Sequence, residues 1–435
     1  MENRKMGYER IYFRNPNINV FIAVRITRIF TENDFTKALD LAAKRHPMVN
    51  CSIELDDMGN AWYLPDRSKI SLEYHGNSNT EAWLEWYEKK DAIPFDFEHG
   101  PLVKTGVFCY GNNMDIAVLG HHIIGDAYGY INLLRDILYA LDGRLDTSTL
   151  LPPEQTVLKI KTGLGMLSRY CTKGFNQLWK KNAKIFSNED YFSFFHAYRQ
   201  NNPAGLYLNR IEGNDVTKLL AACKSNCITV NEALSTALIA AFQSVVKRYE
   251  GKRIKFGCAA NIRYDLESPQ PDCMGNFVTG IMVTACYDTC KSFLENAKFI
   301  GSNLRKKLKD VKSRYKVIDF LNLVDNTIID SIFFATYGSY SNPLSKILSK
   351  VLEERTNDKC IGITNIGKLK THQYNSFAVS DMWTICPLDP KCQLGVAVMT
   401  IEKKMLFCLR YSKADISDEM AEKVYQEALM FIAGL

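Results

Sequence analysis

The sequence predicts a two-lobed α/β (α+β) protein, an expectation carried by three observations. The chain has 435 residues, enough for two or three domains at roughly 150 residues each. Stretches rich in β-branched and apolar residues alternate with segments of helical periodicity. The same strand-and-helix grammar starts afresh near Leu206. A first lobe is therefore expected at 1–150, a crossover at 151–204 and a second lobe at 205–435.

The first lobe opens with a strand over Asn17 to Val24. Thr31 and Asn33 then offer caps for a helix from about Asp34, which must stop at His46-Pro47 because proline cannot continue it. Cys51 to Leu55 and Ala61 to Leu64 flank Asp57-Met58-Gly59-Asn60 and read as a hairpin. A charged, Trp-rich helix is expected around Glu81 to Lys90. Val103 to Tyr110 and Met114 to Gly120 form two strands joined by Gly111-Asn112-Asn113. The second delivers the chain to His121 and His122. Beyond them Ile131, Leu134, Ile137, Leu138 and Leu141 share one helical face, with Asp126 placed to cap it and Asp142-Gly143 to end it.

The crossover, with a basic patch at Lys180, Lys181 and Lys184 and an aromatic stretch from Tyr191 to Phe195, is expected to link the lobes. The second lobe reads as a strand over Leu206 to Ile211 and a helix from Asp215. A longer helix follows, opened by the capping box Thr229-x-x-Glu232. Strands are expected at Ile254 to Asn261, Phe277 to Ala285, Ile361 to Thr364, Gln393 to Thr400 and Met405 to Tyr411. Helices are expected from about Lys291 to Val311 and from Ser417.

Composition narrows the class. With 46% apolar and 23% charged residues the chain is not a disordered one. Its 54 Lys+Arg against 48 Asp+Glu leave a net +6, too diffuse for a phosphate backbone, so no nucleic-acid partner is expected. The 13 cysteines include no C-x-x-C pair and fit buried thiols in a reducing compartment. Met1 to Arg10 lacks the apolar core of a signal peptide, and no run of ~18 apolar residues is present to span a bilayer. A soluble, cytoplasmic protein is the expectation.

Adjacent residues on a strand face opposite ways, so only one of His121 and His122 is expected to reach a cavity. An imidazole with a reference pKa near 6.5 is suited to general-base work; two satisfied core histidines are the competing reading. Asp126 either caps the following helix or forms an ion pair that fixes the turn. Two histidines and one aspartate lack the further ligands of a zinc or iron site, and no metal is expected.

His121-His122-Ile123-Ile124-Gly125-Asp126 resembles the HHxxxD(G) signature of the chloramphenicol-acetyltransferase-like superfamily, which includes condensation domains, alcohol acyltransferases and wax-ester synthases. The order of other segments along the chain matches as well. Pro94-Phe95-Asp96-Phe97 with Gly100-Pro101-Leu102 resembles the family's PFDL…GPL segment. Thr229 to Leu234 resembles the start of its second-lobe helix. Asn261-Ile262-Arg263 with Gly275-Asn276-Phe277 resembles its N-x-R…GNF segment, and Thr364-Asn365-Ile366-Gly367 its late S/T-N-x-G strand. Ala127 stands where the signature ends in glycine, which implies a narrower passage.

The resemblance implies two pseudo-dimeric lobes, each a mixed sheet with packed helices, meeting at a tunnel. His122 would be the base that activates a hydroxyl or amine for attack on an acyl thioester, with no acyl-enzyme. His121, Asp126 and Arg263 would support the site, Asp126 pairing with Arg263. Gly125, Thr364 and Asn365 are candidates for the tunnel and oxyanion donors. Arg305, Lys306 and Lys309 could meet donor phosphates. No cofactor would be permanently bound: acyl-CoA or an acyl-phosphopantetheine on a separate carrier protein would serve as co-substrate, and a small molecule as acceptor. Two other readings are a non-catalytic module of the same fold that captures a carrier protein or small ligand, and a metal-dependent hydrolase.

Overall fold

The computed structural model describes residues 3–435 apart from 66, 153–158, 160–164, 182, 353–359 and 371, together with every side chain in those elements except 313, 351 and 352. Part of the crossover expected at 151–204 thus lies outside the described residues. Fourteen strands and twelve α-helices are described. In the first half these are β1 (Arg4–Lys5), β2 (Asn19–Ile26), α1 (Glu32–Arg45), β3 (Ser52–Leu55), β4 (Ala61–Leu64), β5 (Ser71–His75), α2 (Ala82–Asp91), β6 (Val103–Tyr110), β7 (Asn113–His121), α3 (Ala127–Leu141), α4 (Met166–Lys180) and α5 (Asn188–Asn201). The second half contains β8 (Ala204–Glu212), α6 (Asn214–Ser225), α7 (Val230–Val245), β9 (Ile254–Asn261), β10 (Val278–Ala285), α8 (Phe293–Lys309), α9 (Val311–Leu321), α10 (Asn326–Tyr337), α11 (Pro343–Leu352), β11 (Cys360–Leu369), β12 (Val379–Ile385), β13 (Cys392–Ile401), β14 (Lys404–Ser412) and α12 (Asp418–Ala433).

Two mixed sheets organise the molecule. The first runs β12-β2-β7-β6-β5 and the second β10-β9-β11-β13-β14-β8; a small sheet, β1-β4-β3, stands beside them. The first is antiparallel except where β5 lies parallel to β6. The second holds its parallel pairs at the centre, β9 with β11 and β11 with β13. Strand β12, late in the chain, stays in contact with β13 and β14 of the second sheet but pairs antiparallel with β2, Met382 opposite Val24. One sheet is therefore completed by the other half of the chain.

Local chemistry explains the main helices. Thr31 accepts from Asp34 N–H and Thr229 from Glu232 N–H, each within a full capping box, and these satisfy amides that otherwise lack partners. Gly59, at φ +75, closes the β3–β4 turn in a conformation that favours glycine. Helix α3 packs on α1 and β2, and α7 on α8 and α12. Each lobe has its own core: Phe21, Ile116 and Leu133 belong to the first, Phe242, Phe256 and Val396 to the second.

The structure adds elements that the sequence reading did not anticipate. The crossover contains α4 and α5, and residues 311–352 contain three further helices. Helix α5 has a capping box at Ser187 and Asp190 and buries Tyr191, Phe194, Phe195 and Tyr198, so its aromatic stretch is one helical face. A third core joins Tyr8 and Trp179 to Ile262, Phe277 and the buried sides of α9 and α10. The N-terminal segment is held there by Arg10, whose guanidinium donates to both carboxylate oxygens of Asp330 at 2.5 Å. No helix among the described residues is long and apolar enough to cross a membrane.

Candidate active site

The site is built where β7 ends and α3 begins. His121 is the last residue of β7 and lies opposite Asn19 on β2; its N–H donates to Leu102 O at 3.0 Å. The side chain points into the first core, edge-on to Phe95 and Phe97 with centroids 5.9 and 5.0 Å away. Its Nδ1 accepts from Ile123 N–H at 3.2 Å, and its Nε2 is buried without a partner among the described residues. Burial, with the neighbouring His122 adding to it, pushes its pKa down to about 3. This ring is a sealed, neutral one.

His122 stands one residue further on, in the turn, and is half-buried. Its ring stacks on Tyr12, with centroids 4.7 Å apart and planes within 7°. Burial lowers its pKa while Asp126 and the residue's own carbonyl oppose that shift, so the imidazole is neutral at cellular pH and able to take a proton. The Asn276 amide nitrogen lies 3.0 Å from His122 Nδ1 and 2.9 Å from His122 O. The carbonyl can accept only from nitrogen, so the amide presents N–H to both atoms. In that state Nδ1 accepts and the ring hydrogen rests on Nε2. A base acting at Nε2 requires the other tautomer, with Nδ1–H turned toward the residue's own carbonyl. Asn276 thus governs which nitrogen is basic.

Asp126 holds the turn and the two halves of the chain together. One oxygen accepts from Gly129 N–H at 2.9 Å, capping α3, and from Arg263 Nη2 at 2.6 Å; the other accepts from Phe277 N–H at 2.9 Å. The two roles that the sequence left open are filled at once. Arg263 also donates to Cys273 O and Gly275 O, at 2.9 and 3.1 Å, and lies over the Phe277 ring. The ion pair is almost fully buried, at 2% and 7% side-chain exposure, so each charge depends on the other for its solvation.

The remaining candidates are placed as follows. Gly125 leaves room for its neighbours: a Cβ there would lie 2.9 Å from Met274 Cε and 3.1 Å from the Tyr130 ring. Asn365 accepts from Gly367 N–H at 2.9 Å, at the bulge in β11; Thr364 lies opposite Ala397 on β13. No hydrogen bond or ring contact joins either to His122 among the described residues. Arg305 pairs with Glu232 of α7 at 2.6 Å, while Lys306 and Lys309 are exposed along α8. The structure therefore gathers His122, Asp126 and Arg263 and leaves the α8 cations on the second lobe's outer helix. No group of three or more His, Cys, Asp or Glu among the described residues is placed to hold a metal ion.

Three residues at the site had no role in the sequence reading. Tyr12 stacks on the imidazole, Tyr8 OH donates to Asn276 O at 2.5 Å, and Tyr130 OH donates to His121 O at 2.7 Å. Only Tyr130 had a sequence signal: it lies on the helix that Asp126 caps, and it occupies the space above Gly120, where a Cβ would lie 2.1 Å from its hydroxyl. His122 lines none of the cavities of about 400, 530 and 680 Å³; the first shares Arg263 with the site and the second Tyr8.

No family model and no curated protein matches the chain by sequence. Solved structures match it over nearly its whole length. A trichothecene 15-O-acetyltransferase from Fusarium sporotrichioides superposes with a TM-score of 0.69 at 12% identity, covering 99% of this chain and 94% of that one. The first condensation domain of the calcium-dependent antibiotic synthetase gives 0.68 at 12%, covering 100% and 96%. The epimerization domain of the third module of tyrocidine synthetase B gives 0.63 at 14%, covering 100% and 97%. At such identities the likeness is one of fold: the chain carries the chloramphenicol-acetyltransferase-like fold shared by condensation and acyltransferase domains.

Proposed function

We propose that the protein is an acyltransferase that moves an acyl group from a thioester donor, acyl-CoA or an acyl-carrier protein, to a hydroxyl or amine acceptor, with His122 as general base. The observation that carries this reading is a half-buried, neutral imidazole held in a turn by a buried Asp126–Arg263 pair. In the Nδ1–H tautomer, Nε2 takes the proton as the acceptor oxygen or nitrogen attacks the thioester carbonyl. The carbon–sulfur bond then breaks, and the imidazolium returns the proton to the departing thiolate. No acyl-enzyme is needed, so no nucleophilic serine or cysteine is required. Holding both reactants at a junction away from bulk water favours transfer over hydrolysis.

The test is a screen of acyl-CoA and acyl-carrier donors against alcohols and amines, following release of free thiol and product mass. Transfer by the wild type that falls ~10²–10⁴-fold in His122→Ala, with the fold retained, is the expected result. Undiminished transfer by the variant would remove His122 from the reaction. Binding of carrier protein or ligand without turnover under any donor would favour the non-catalytic module.

A further inference from the structure

The 400 Å³ cavity lies between α3, the end of β11 and strand β12. Its floor is apolar and drawn from both halves of the chain: Val24, Ile131, Leu134, Leu138, Met382 and Ile401. Its rim is cationic. Arg135 is spent internally, donating to Asp136 at 2.8 Å and to Asp272 at 2.7 Å. Arg263 is likewise balanced by Asp126. Lys368 and Lys370 are exposed and have no ion-pair partner among the described residues. The rim's carboxylate, Asp272, is already engaged, so two positive charges stand uncompensated over an apolar hollow.

His372 lies on the same rim, its Nδ1 2.7 Å from Tyr139 OH; burial lowers its pKa, Arg135 and Lys370 add to that shift, and Asp136 and Asp272 oppose it. A concave, low-dielectric wall concentrates such a potential and draws in anions. Pockets of this size take a ligand's apolar body on the floor and fix its orientation with a few polar groups.

We propose that this cavity binds an amphiphile with an apolar body and an anionic group, the body lying against Ile131, Leu134 and Met382 and the anion held by Lys368 and Lys370. The cavity's inner wall includes Tyr128, in the first turn of the helix that follows the histidines, with its hydroxyl on Ile366 O at 2.5 Å. Naming this ligand a substrate rests on the acyl-transfer reading; its binding does not.

Calorimetric titration of the protein with dodecanoate and dodecyl phosphate, each below its critical micelle concentration, and with dodecanol below its solubility limit tests the proposal without turnover. Either anion is expected to bind at least tenfold more tightly than the alcohol, and the tighter anion identifies the head group as carboxylate or phosphate. The double variant Lys368→Glu, Lys370→Glu, altered only at exposed positions, is expected to bring the anions down to the alcohol's affinity. Ile131→Trp, which narrows the hollow where the apolar body would lie, is expected to weaken binding of all three. Equal affinity for anions and alcohol, an unchanged preference in the lysine variant, or no binding of any probe would overturn the assignment. A protein that binds the anions yet transfers no acyl group keeps this site and loses the proposed reaction; transfer by a protein indifferent to these probes does the reverse.

Discussion

The two faces of the β7–α3 junction differ by one peptide step and by almost everything else. On one face His121 is closed in by Phe95 and Phe97, its Nε2 without a partner and its pKa pushed to about 3. On the other His122 is half-buried, stacked on Tyr12 and bridged by Asn276 from the opposite half of the chain. The pleat separates them, since neighbouring side chains on a strand point apart. Identity of residue type therefore says little about role; what each ring faces decides it. The sealed ring loses proton affinity and orders the turn, whereas the half-buried one is the base proposed above.

The comparison can first be broken at the pair that anchors the turn. Asp126→Ala leaves the Arg263 guanidinium buried without its counter-charge and uncaps α3, so unfolding free energy should fall by about 3–5 kcal/mol at neutral pH. Thermal and denaturant melts check it, and an unchanged melt would show that the junction stands without the pair.

The next effect concerns acid. His121 has a folded-state pKa below its ordinary value of 6.5, so the unfolded chain gains a proton that the folded one refuses. This contribution to stability is complete above pH 6.5 and shrinks as pH falls toward 3, by about 1.4 kcal/mol per pH unit. His121→Asn should therefore lose less stability than the wild type between pH 6.5 and 4, as measured by urea unfolding at each pH. Parallel pH profiles would mean that the sealed ring titrates normally.

A smaller, local effect sharpens the other face. Asn276→Ala removes the donor at His122 Nδ1, so the neutral ring should shift toward the Nδ1–H tautomer and its pKa should rise toward 6.5. Nitrogen NMR of labelled histidine reads both; an unaltered tautomer would show that Asn276 does not set it.

Much of the fold was legible in the sequence because its signals are local. Thr31, Thr229 and Ser417 mark helix starts by side chains that reach only three residues ahead. The hairpin at Gly59 and the helix behind Asp126 are legible for the same reason. Strand β12 was not, because its place is fixed by pairing with β2 some 350 residues earlier in the chain, as Met382 opposite Val24 shows. Of the helices at 311–352, α10 is buried on every side from Ile328 to Phe334, Asp330 and Ser331 included, which weakens its periodicity; α9 and α11 do carry a polar, Lys-bearing face, and their signal was passed over. At the site, the Asp126–Arg263 pairing followed from the family resemblance, while Tyr8 and Tyr12 lie in a segment where no spacing points to a histidine some 110 residues on. Only the folded chain brings them together.

The most direct test of the division between the two rings is carbethoxylation of the native protein with diethyl pyrocarbonate at neutral pH, mapped by tandem mass spectrometry. The reagent requires a neutral, reachable imidazole. Modification of His122 with His121 left intact is the predicted result, whereas equal protection of the two rings, or preferential labelling of His121, would contradict the account.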